Sequence, residues 1–390
     1  MLQRLILFVF VVDLMVVSTG RCQLQAQGYF LTTVGHLPAP SDTQSFVDAV
    51  NNNGYVLIDS GAQPYTRAAV FTSGALHSLG LPPAPYDYWT NGTGLNDLGQ
   101  ACGTSWASDL SYHAFLYTPG PMPTMSDLGT LPGYTYASQA RAINNLGQVA
   151  GDSESGGTAG STGHAFVCSN GAMQDLGSLP GLNTSIATGI NNSGVVVGYC
   201  FAAFGPFQHE MAFISGPTGL QPRGTLPAPY NFGSEAHAIN DNGDVVGTSY
   251  DSSGNSHAFL WHNGVMTDLG TLPGFTSREV ATSINSSGQI MGWSTDAQGG
   301  THYFLYSDGA MTDMNNLLYT AFSAYYLSNF GPINDAGQIG AGGYGPDSVF
   351  ESFLLTPVPE PTALIALFPL LLLRRRGLIR LCVSGNASLR

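Results

Sequence analysis

The chain has 390 residues, a formal net charge of −14 at pH 7 and no lysine. Apolar residues make up 43% of it, enough to bury a sizeable core, so the composition argues against a disordered chain. The acidic balance argues against nucleic acid as a partner, because the phosphate backbone would be repelled.

The first 26 residues indicate a secretory signal peptide. Arg4 gives a basic start, residues 5–17 form an apolar run, and small residues up to Ala26 offer cleavage positions for signal peptidase. Cys22 offers an alternative lipoprotein site, although Arg21 stands where such a site prefers a small residue. The sequence therefore predicts that residues 1–26 direct export.

Seven copies of one short phrase divide most of the remaining chain into repeats. Each copy has an apolar residue, then Asn, two polar or small residues and Gly, at spacings of 45 to 49 residues. The repeated asparagines are Asn51, Asn96, Asn144, Asn191, Asn240, Asn285 and Asn334. Self-similarity at this period is typical of repeat architectures.

The cleanest copy, residues 238–274, predicts four short strands per repeat. The first ends near Asn240, and the others cover residues 244–248, 257–261 and 265–269. They are too short for helices, show no period of 3.6 residues and are separated by turn residues. We expect an antiparallel meander.

The third strand recurs in every repeat, whereas the fourth does not. The third strand appears as AVF at Ala69, HAF at His113, His164 and His257, MAF at Met211, HYF at His302 and SF at Ser352. The fourth-strand phrase, of the type DLGTLPG, occurs six times and is missing from the last repeat. Residues 32–40, before the first repeat, carry the same kind of phrase.

This distribution predicts a ring that the N-terminal strand completes. We expect an all-β, seven-bladed β-propeller of four-stranded antiparallel blades over residues 27–357, closed by the N-terminal strand. The alternative is a linear β-rich array with polar caps.

The repeats resemble the HAF repeats of bacterial extracellular proteins, which are named after the third-strand triplet. The resemblance covers nearly the whole chain after residue 26. It implies a propeller-like fold and an extracellular location, and it supplies no catalytic residues.

The C-terminal residues 358–376 resemble the PEP-CTERM sorting signal of Gram-negative bacteria. They contain Pro359, Glu360 and Pro361, an apolar stretch at 363–373, and the basic cluster Arg374, Arg375 and Arg376. The resemblance implies processing by an exosortase-like enzyme and delivery to the cell surface or extracellular matrix. As a transmembrane helix, eleven apolar residues span only about 17 Å, short of the ~30 Å bilayer core. We expect transient membrane contact; the tail 377–390 departs from the family pattern.

The repeated polar residues do not predict an active site. His and Asp recur at fixed positions, so their explanation must be something that each repeat needs, and no known catalytic motif is present. We expect no catalytic residues, no cofactor and no metal site. An alternative calcium loop at 240–244 lacks the usual closing glutamate. Cys102, Cys168 and Cys200 are expected to be buried thiols, with a Cys168–Cys200 bridge as the alternative.

Two surfaces are candidates for ligand binding. One is an aromatic rim made by loops between repeats, where rings suit sugar faces or a protein partner: Tyr86, Tyr88, Trp89, Tyr134, Tyr136, Tyr230, Phe232, Tyr325 and Tyr326. The alternative is that these rings only fill gaps between blades. The other is a central funnel, where the residue three before the repeated Asn varies and includes Asp48, Arg141 and His237.

The sequence therefore predicts an exported, non-catalytic surface or matrix binding module, with a glycan or an envelope protein as ligand. The alternative is a propeller-type hydrolase or lyase that acts on extracellular polysaccharide at the funnel.

Overall fold

The computed structural model describes residues 28–37, 44–61, 66–156, 162–202, 210–275, 278–314, 325–346 and 348–358. The predicted signal peptide, the sorting signal with Pro359 to Arg376 and the tail 377–390 lie outside the described residues. Chain contacts divide the described residues into two parts, one within residues 31–356 and a small one made of residues 28–30 and 357–358. In the smaller part, the Val358 N–H donates to the Gly28 carbonyl at 2.9 Å. Among the described residues, no helix has the length and apolar character that crossing a membrane requires.

Every complete regular element among the described residues is a β-strand, and four strands make one repeat. Repeat 1 contains β2 (Ser45–Val50), β3 (Val56–Ser60), β4 (Arg67–Thr72) and β5 (Ala75–Ser78). Repeat 2 contains β6 (Trp89–Leu95), β7 (Ala101–Trp106), β8 (Tyr112–Thr118) and β9 (Thr124–Asp127). Repeat 3 contains β10 (Ala137–Ile143), β11 (Val149–Glu154), β12 (Gly163–Ser169) and β13 (Ala172–Asp175). Repeat 4 contains β14 (Thr184–Ile190), β15 (Val196–Phe201), β16 (Met211–Gly216) and β17 (Gly219–Pro222).

The remaining repeats follow the same order. Repeat 5 contains β18 (Gly233–Ile239), β19 (Val245–Tyr250), β20 (Ser256–His262) and β21 (Val265–Asp268). Repeat 6 contains β22 (Arg278–Ile284), β23 (Ile290–Thr295), β24 (Thr301–Ser307) and β25 (Ala310–Asp313). Repeat 7 contains β26 (Tyr326–Ile333), β27 (Ile339–Tyr344) and β28 (Phe350–Pro357), and β1 (Tyr29–Thr33) lies beside β28.

Within each repeat, successive strands pair in antiparallel order, as the sequence predicted. Such four-stranded sheets are typical of propeller blades. Repeats 5 and 6 differ, because one parallel pair between Ser256 and Arg278 joins them into an eight-stranded sheet. Strand direction alternates, so the first-to-second and third-to-fourth turns lie at one end of each sheet, the turn end. The other connections lie at the opposite end, the loop end.

The repeated Asn closes the first hairpin of each repeat and links that repeat to the next. In repeat 3, Asn144 Oδ1 accepts hydrogen bonds from the backbone N–H of Leu146 and of Gln148, at 3.1 and 3.0 Å. Its Nδ2 donates to the carbonyl of Asn191 in repeat 4, at 2.9 Å. All seven asparagines make this link in order, and Asn334 Nδ2 donates to the Asn51 carbonyl at 2.7 Å.

A second link uses a hydroxyl six residues before the Asn. In repeat 4, Ser185 Oγ accepts a hydrogen bond from the Ala165 N–H of repeat 3 at 2.8 Å and donates to the Gly177 carbonyl. In the same way, Ser45 Oγ of repeat 1 accepts from the Ser352 N–H of repeat 7 at 2.9 Å. The link therefore runs from the last repeat back to the first.

An N-terminal strand, β1, lies beside the three strands of repeat 7, but it spans Tyr29–Thr33 and so shares only residues 32 and 33 with the predicted segment 32–40. The strand order of this sheet is β1-β28-β27-β26. The Val34 N–H donates to the Ser352 carbonyl at 2.9 Å, as the Leu176 N–H donates to the Ala165 carbonyl in repeat 3. The Leu37 N–H donates to Ser60 Oγ of repeat 1 at 2.8 Å.

The pairing register corrects the third strand of repeat 1. In repeats 2 to 6 the triplet Phe lies opposite a Gly of the second strand, and in repeat 7 it lies opposite Ala341, but in repeat 1 Ile58 lies opposite Ala69. The triplet positions are therefore Arg67, Ala68 and Ala69, and the assignment of AVF from Ala69 was wrong by two residues. The physical reason is volume, because Ile58 occupies space that a Phe ring fills in other repeats.

Candidate functional site

The recurring His and Asp residues contact each other and an aromatic ring of the preceding loop. In repeat 3, His164 Nδ1 lies 3.0 Å from Asp175 Oδ1, and Tyr134 stacks on the imidazole with centroids 4.5 Å apart. Equivalent contacts join Tyr86, His113 and Asp127, then Tyr230, His257 and Asp268, and, with an edge-on ring, Phe275, His302 and Asp313. A contact that recurs in four repeats is explained by packing of loop against sheet.

The nine predicted rim aromatics differ in their exposure. Three have a ring face on an imidazole: Tyr86, Tyr134 and Tyr230. Three pack on other rings, with Trp89 on Trp106, Phe232 near Tyr250 and Tyr325 edge-on to Phe353. Three are exposed by 42%, 59% and 67%, respectively: Tyr88, Tyr136 and Tyr326. The exposed rings all stand at the loop end, eight residues before the Asn of their repeat.

The predicted funnel residues occupy β-bulges. The register between the first two strands shifts around the residue three before the Asn, which leaves that residue outside the ladder. Asp48, Arg141 and His237 stand at such positions. In the described residues each has a different partner, and no hydrogen bond joins any two of the three.

Arg141 is held by a buried carboxylate. Its Nε donates to Asp152 Oδ1 at 2.5 Å and its Nη2 donates to Gln139 Oε1 at 3.1 Å. The Asp152 side chain is only 4% exposed. Burial raises the pKa of Asp152, and the charge of Arg141 opposes that rise. The positive charge of Arg141 is therefore paired with the carboxylate of Asp152 within the protein.

Asp48 and Asp59 form a pair of close carboxyl groups in repeat 1. Asp59 is buried and accepts a hydrogen bond from the Gly92 N–H at 2.8 Å, and burial raises its pKa to about 7. Burial and the neighbouring Asp59 charge raise the pKa of Asp48 well above its usual value. Asp48 Oδ2 is buried without a hydrogen-bond partner.

His237 is paired within its own strand, where its Nε2 lies 3.3 Å from Glu235 Oε2. Tyr199 of repeat 4 connects this pair to repeat 3. Its pKa is raised by burial and then by Glu235, while Arg141 opposes the rise. The charges of Arg141 and of Glu235, the partner of His237, thus act on one tyrosine, whereas Asp48 belongs to a different repeat.

Two tyrosine–glutamate pairs, absent from the sequence-based expectations, connect neighbouring repeats at the loop end. Tyr112 of repeat 2 donates from its Oη to Glu154 Oε1 of repeat 3 at 3.2 Å. Tyr250 of repeat 5 donates to Glu210 Oε2, just before the third strand of repeat 4. Burial and the Glu154 charge raise the pKa of Tyr112 to about 12, so the phenol stays protonated at neutral pH.

A sequence signal for these pairs did exist. The residue ten after the repeated Asn varies as strongly as the funnel position: Gly61, Trp106, Glu154, Phe201, Tyr250, Thr295 and Tyr344. This residue contacts the residue before the triplet of the preceding repeat. To predict that contact, one must know how neighbouring sheets are staggered. The pattern within one repeat does not contain that information.

The turn end offers a polar cavity of about 230 Å³, lined by the repeated asparagines and their neighbours in sequence. Its carboxylates are engaged by amides: Asn52 Nδ2 donates to Asp97 and to Asp335, and Asn192 Nδ2 donates to Asp241. No group of three or more His, Cys, Asp or Glu in the described ranges is arranged to hold a metal ion.

The cysteines within the described repeats are buried free thiols: Cys102, Cys168 and Cys200. Burial raises the pKa of Cys102 to about 12. A thiol with so high a pKa is a poor nucleophile at neutral pH.

No family model and no curated protein matches the sequence. Among solved structures, the chain is similar to a puromycin-hydrolysing peptidase of Mycobacterium tuberculosis, at TM-score 0.52 and 10% identity, covering 84% of this chain and 56% of that chain. The chain thus spans just over half the length of that peptidase. It is also similar to the β-propeller domain of the trilobed protease from Pyrococcus furiosus, at TM-score 0.35 and 8% identity, covering 69% and 97%. The polysaccharide lyase Uly1 matches at TM-score 0.49 and 10% identity, covering 88% and 94%. At these identities the likeness concerns the fold alone.

Proposed function

We propose that residues 27–357 form a seven-bladed β-propeller closed by β1, and that this propeller is an exported, non-catalytic binding module. Support for closure comes from links between repeats 7 and 1. They join Asn334 to Asn51 and Ser352 to Ser45, in the geometry that joins other neighbouring repeats.

One observation carries the binding function: side chains that differ between repeats concentrate at the loop end of repeats 2 to 5. The frame that carries them is constant, with the same hydroxyl links near the loop end and the same asparagine links at the turn end in repeat after repeat. On it stand the exposed Tyr136, the Tyr112–Glu154 pair and the Glu210–Tyr250 pair. Varied side chains on a constant frame are the usual arrangement of a binding surface.

The proposed location is the cell surface or extracellular matrix. The signal-like residues 1–26 and the PEP-CTERM-like residues 358–376 support export, with signal peptidase and an exosortase-like enzyme as processing partners. The net charge of −14 favours solubility outside the cell. The ligand classes that we propose are a matrix glycan or an envelope protein.

Burial of the titratable pairs favours binding over catalysis. A hydrolase or lyase needs an acid and a base within reach of its substrate. Asp152 is buried and paired with Arg141, and Asp59 is buried with its carboxylate on the Gly92 N–H. These groups are already engaged within the fold.

The experiment is a pull-down of envelope and matrix fractions with the purified protein, beside a reducing-end assay on the same polysaccharides. Retention of a component without chain shortening is the expected result. If the protein shortens a polysaccharide and Arg141→Ala, His237→Ala or Asp48→Asn abolishes this turnover, the protein is a hydrolase or lyase and not a non-catalytic binding module. Retention of no component would overturn the binding function itself.

A further inference from the structure

The two tyrosine–glutamate pairs occupy the same two positions of the repeat with the residues exchanged. At the contact between repeats 2 and 3, the tyrosine precedes the triplet and the glutamate ends the second strand. At the contact between repeats 4 and 5, the glutamate precedes the triplet and the tyrosine ends the second strand. We call these contacts seam 2/3 and seam 4/5. The exchange preserves one phenol and one carboxylate at each seam.

Each seam also has an aromatic residue eight positions before the Asn of its second repeat, Tyr136 at seam 2/3 and Phe232 at seam 4/5. Their backbone N–H groups donate to the carbonyls of Glu154 and Tyr250, at 3.0 and 2.9 Å, which fixes both beside the pairs. Each seam therefore combines an aromatic ring, a phenol and a carboxylate at the loop end.

Tyr136 forms a supported platform. A Cβ on Gly156 would lie 2.6 Å from Tyr136 Cγ, so the ring packs directly on the glycine backbone. The side chain is still 59% exposed. One ring face is therefore held by the protein while the rest of the ring stays accessible.

We propose that seam 2/3 and seam 4/5 are two sites for uncharged hexopyranose units of one glycan. The inference rests on the proposed binding function and deepens it by naming the ligand class. The apolar face of a pyranose stacks on the aromatic ring, and its hydroxyls donate to the carboxylate of Glu154 or Glu210.

Charge favours an uncharged sugar over an anionic polymer. Both seams present a carboxylate, and the arginine nearest to Glu154, Arg141, is matched by Asp152. A uronate or sulfate would meet like charge at each seam and across a protein of net charge −14. Neutral hydroxyl groups meet acceptors that suit them.

Two sites on one chain imply avidity for a polymer. A long glycan that reaches both seams binds the second one intramolecularly, at an effective concentration set by the distance between the seams. Short oligosaccharides occupy each seam separately. A large difference between polymer and oligomer affinity is therefore expected.

The experiment uses cello-, manno- and galacto-oligosaccharides and their polymers as probes, measured by titration calorimetry and on polysaccharide columns. We expect two oligosaccharides per chain, and one per chain in Glu154→Gln or Tyr136→Ser. The double variant Glu154→Gln with Glu210→Gln should bind none. Each single variant should elute from the polysaccharide column at an about ten-fold lower concentration of competing sugar than the wild type. Tyr326→Ser is the matched control, because Tyr326 occupies the same repeat position at the contact between repeats 6 and 7. At that contact Tyr344 keeps the tyrosine of seam 4/5, but Thr301 stands in place of the glutamate.

The outcomes separate this inference from the proposed function. Thermal denaturation of each variant excludes unfolding as the cause of lost binding. If none of these sugars binds, or if the Gln variants bind as wild type does, the sugar sites are refuted. If the protein still retains an envelope component in the pull-down, it is a binding module of another specificity. If it retains nothing, both the sugar sites and the binding function are refuted.

Discussion

Phe166 lies directly opposite Gly151 across the two middle strands of repeat 3, and its ring covers the glycine. A Cβ on Gly151 would lie 2.9 Å from Phe166 Cζ and would overlap the Gln139 carbonyl oxygen. The same pair recurs in other repeats, as Gly103 with Phe115, Gly198 with Phe213, Gly247 with Phe259 and Gly292 with Phe304. The glycine lets the first and second strands and the buried ring approach closely.

Gly151→Ala should therefore destabilise the protein by about 3 kcal/mol, because the added methyl group has to displace backbone as well as a ring. Thermal or urea denaturation measures the change. Gly120→Ala is the control, since a Cβ at Gly120 meets nothing within 4 Å. Equal stability of the two variants would show that the close approach is not needed.

The repeated Asn side chains should be required for stability rather than for binding. Asn144→Ala removes two acceptor and two donor contacts of a residue that is 3% exposed. We expect a loss of about 2–4 kcal/mol in the free energy of unfolding. Leu146→Ala, on the same turn but 69% exposed, should change it by less than about 0.5 kcal/mol. Similar losses in both variants would contradict this role.

Glu279 is an exception to the hydroxyl link, because the other six repeats have Ser or Thr six residues before the Asn and Glu279 is fully buried. Its Oε1 accepts from Ser294 Oγ at 3.1 Å, and its Oε2 lies 3.7 Å from His257 Nε2. Burial raises the pKa of Glu279, with His257 opposing, so folded protein binds this proton more tightly than unfolded protein. Its contribution to stability is therefore lost as pH rises above the unfolded value near 4.3.

Glu279→Ser should raise the free energy of unfolding at pH 8 by about 1 kcal/mol, because it removes a buried carboxylate and restores the common hydroxyl. The gain should shrink towards pH 4. Glu279→Gln controls for charge without loss of volume. Denaturation curves at the two pH values decide the matter, and a loss of stability at pH 8 in both variants would show that the carboxylate is stabilising.

Asp59 predicts a second pH dependence of the same sign. Its folded pKa of about 7 lies above the unfolded value near 3.9, so stability is greatest at low pH and falls as pH rises to about 7. Asp59→Asn keeps an acceptor for the Gly92 N–H and should abolish about 2–4 kcal/mol of this fall. The exposed Asp87→Asn is the control. An unchanged pH profile in Asp59→Asn would refute the assignment.

Much of the fold could be predicted from the sequence, because each strand assignment could be compared across the repeats. The hairpin at Asn144 was predictable, since turn chemistry is a local property. An extra N-terminal strand was also predictable, although it spans Tyr29–Thr33 and not residues 32–40. The third strand of repeat 1 was misassigned, because the Ile58–Ala69 pair reverses the usual small-to-large order and the letters AVF imitate the triplet. The pairing register depends on the size of the side chains on the neighbouring strand, and the sequence of one strand alone does not contain that information.

The candidate site was predictable only in part. Variation between repeats singled out Arg141 and His237, but the contacts of these residues with Asp152 and Glu235 follow from the strand pairing and the bulges. Seam 2/3 was missed because Tyr112 and Glu154 belong to different repeats, 42 residues apart. Their contact is set by the stagger of neighbouring sheets, and no single-repeat pattern encodes it.

Pairing of β1 with β28 has a consequence for biogenesis. β1 is synthesised more than 300 residues before β28, the strand with which it pairs, so its backbone groups gain this partner late. Contacts of such long range form slowly, and an unpaired strand is a template for association with other chains. We expect truncated or stalled chains that end before β28 to aggregate through this N-terminal segment. Chains that include β28 should therefore be more soluble than chains that stop before it.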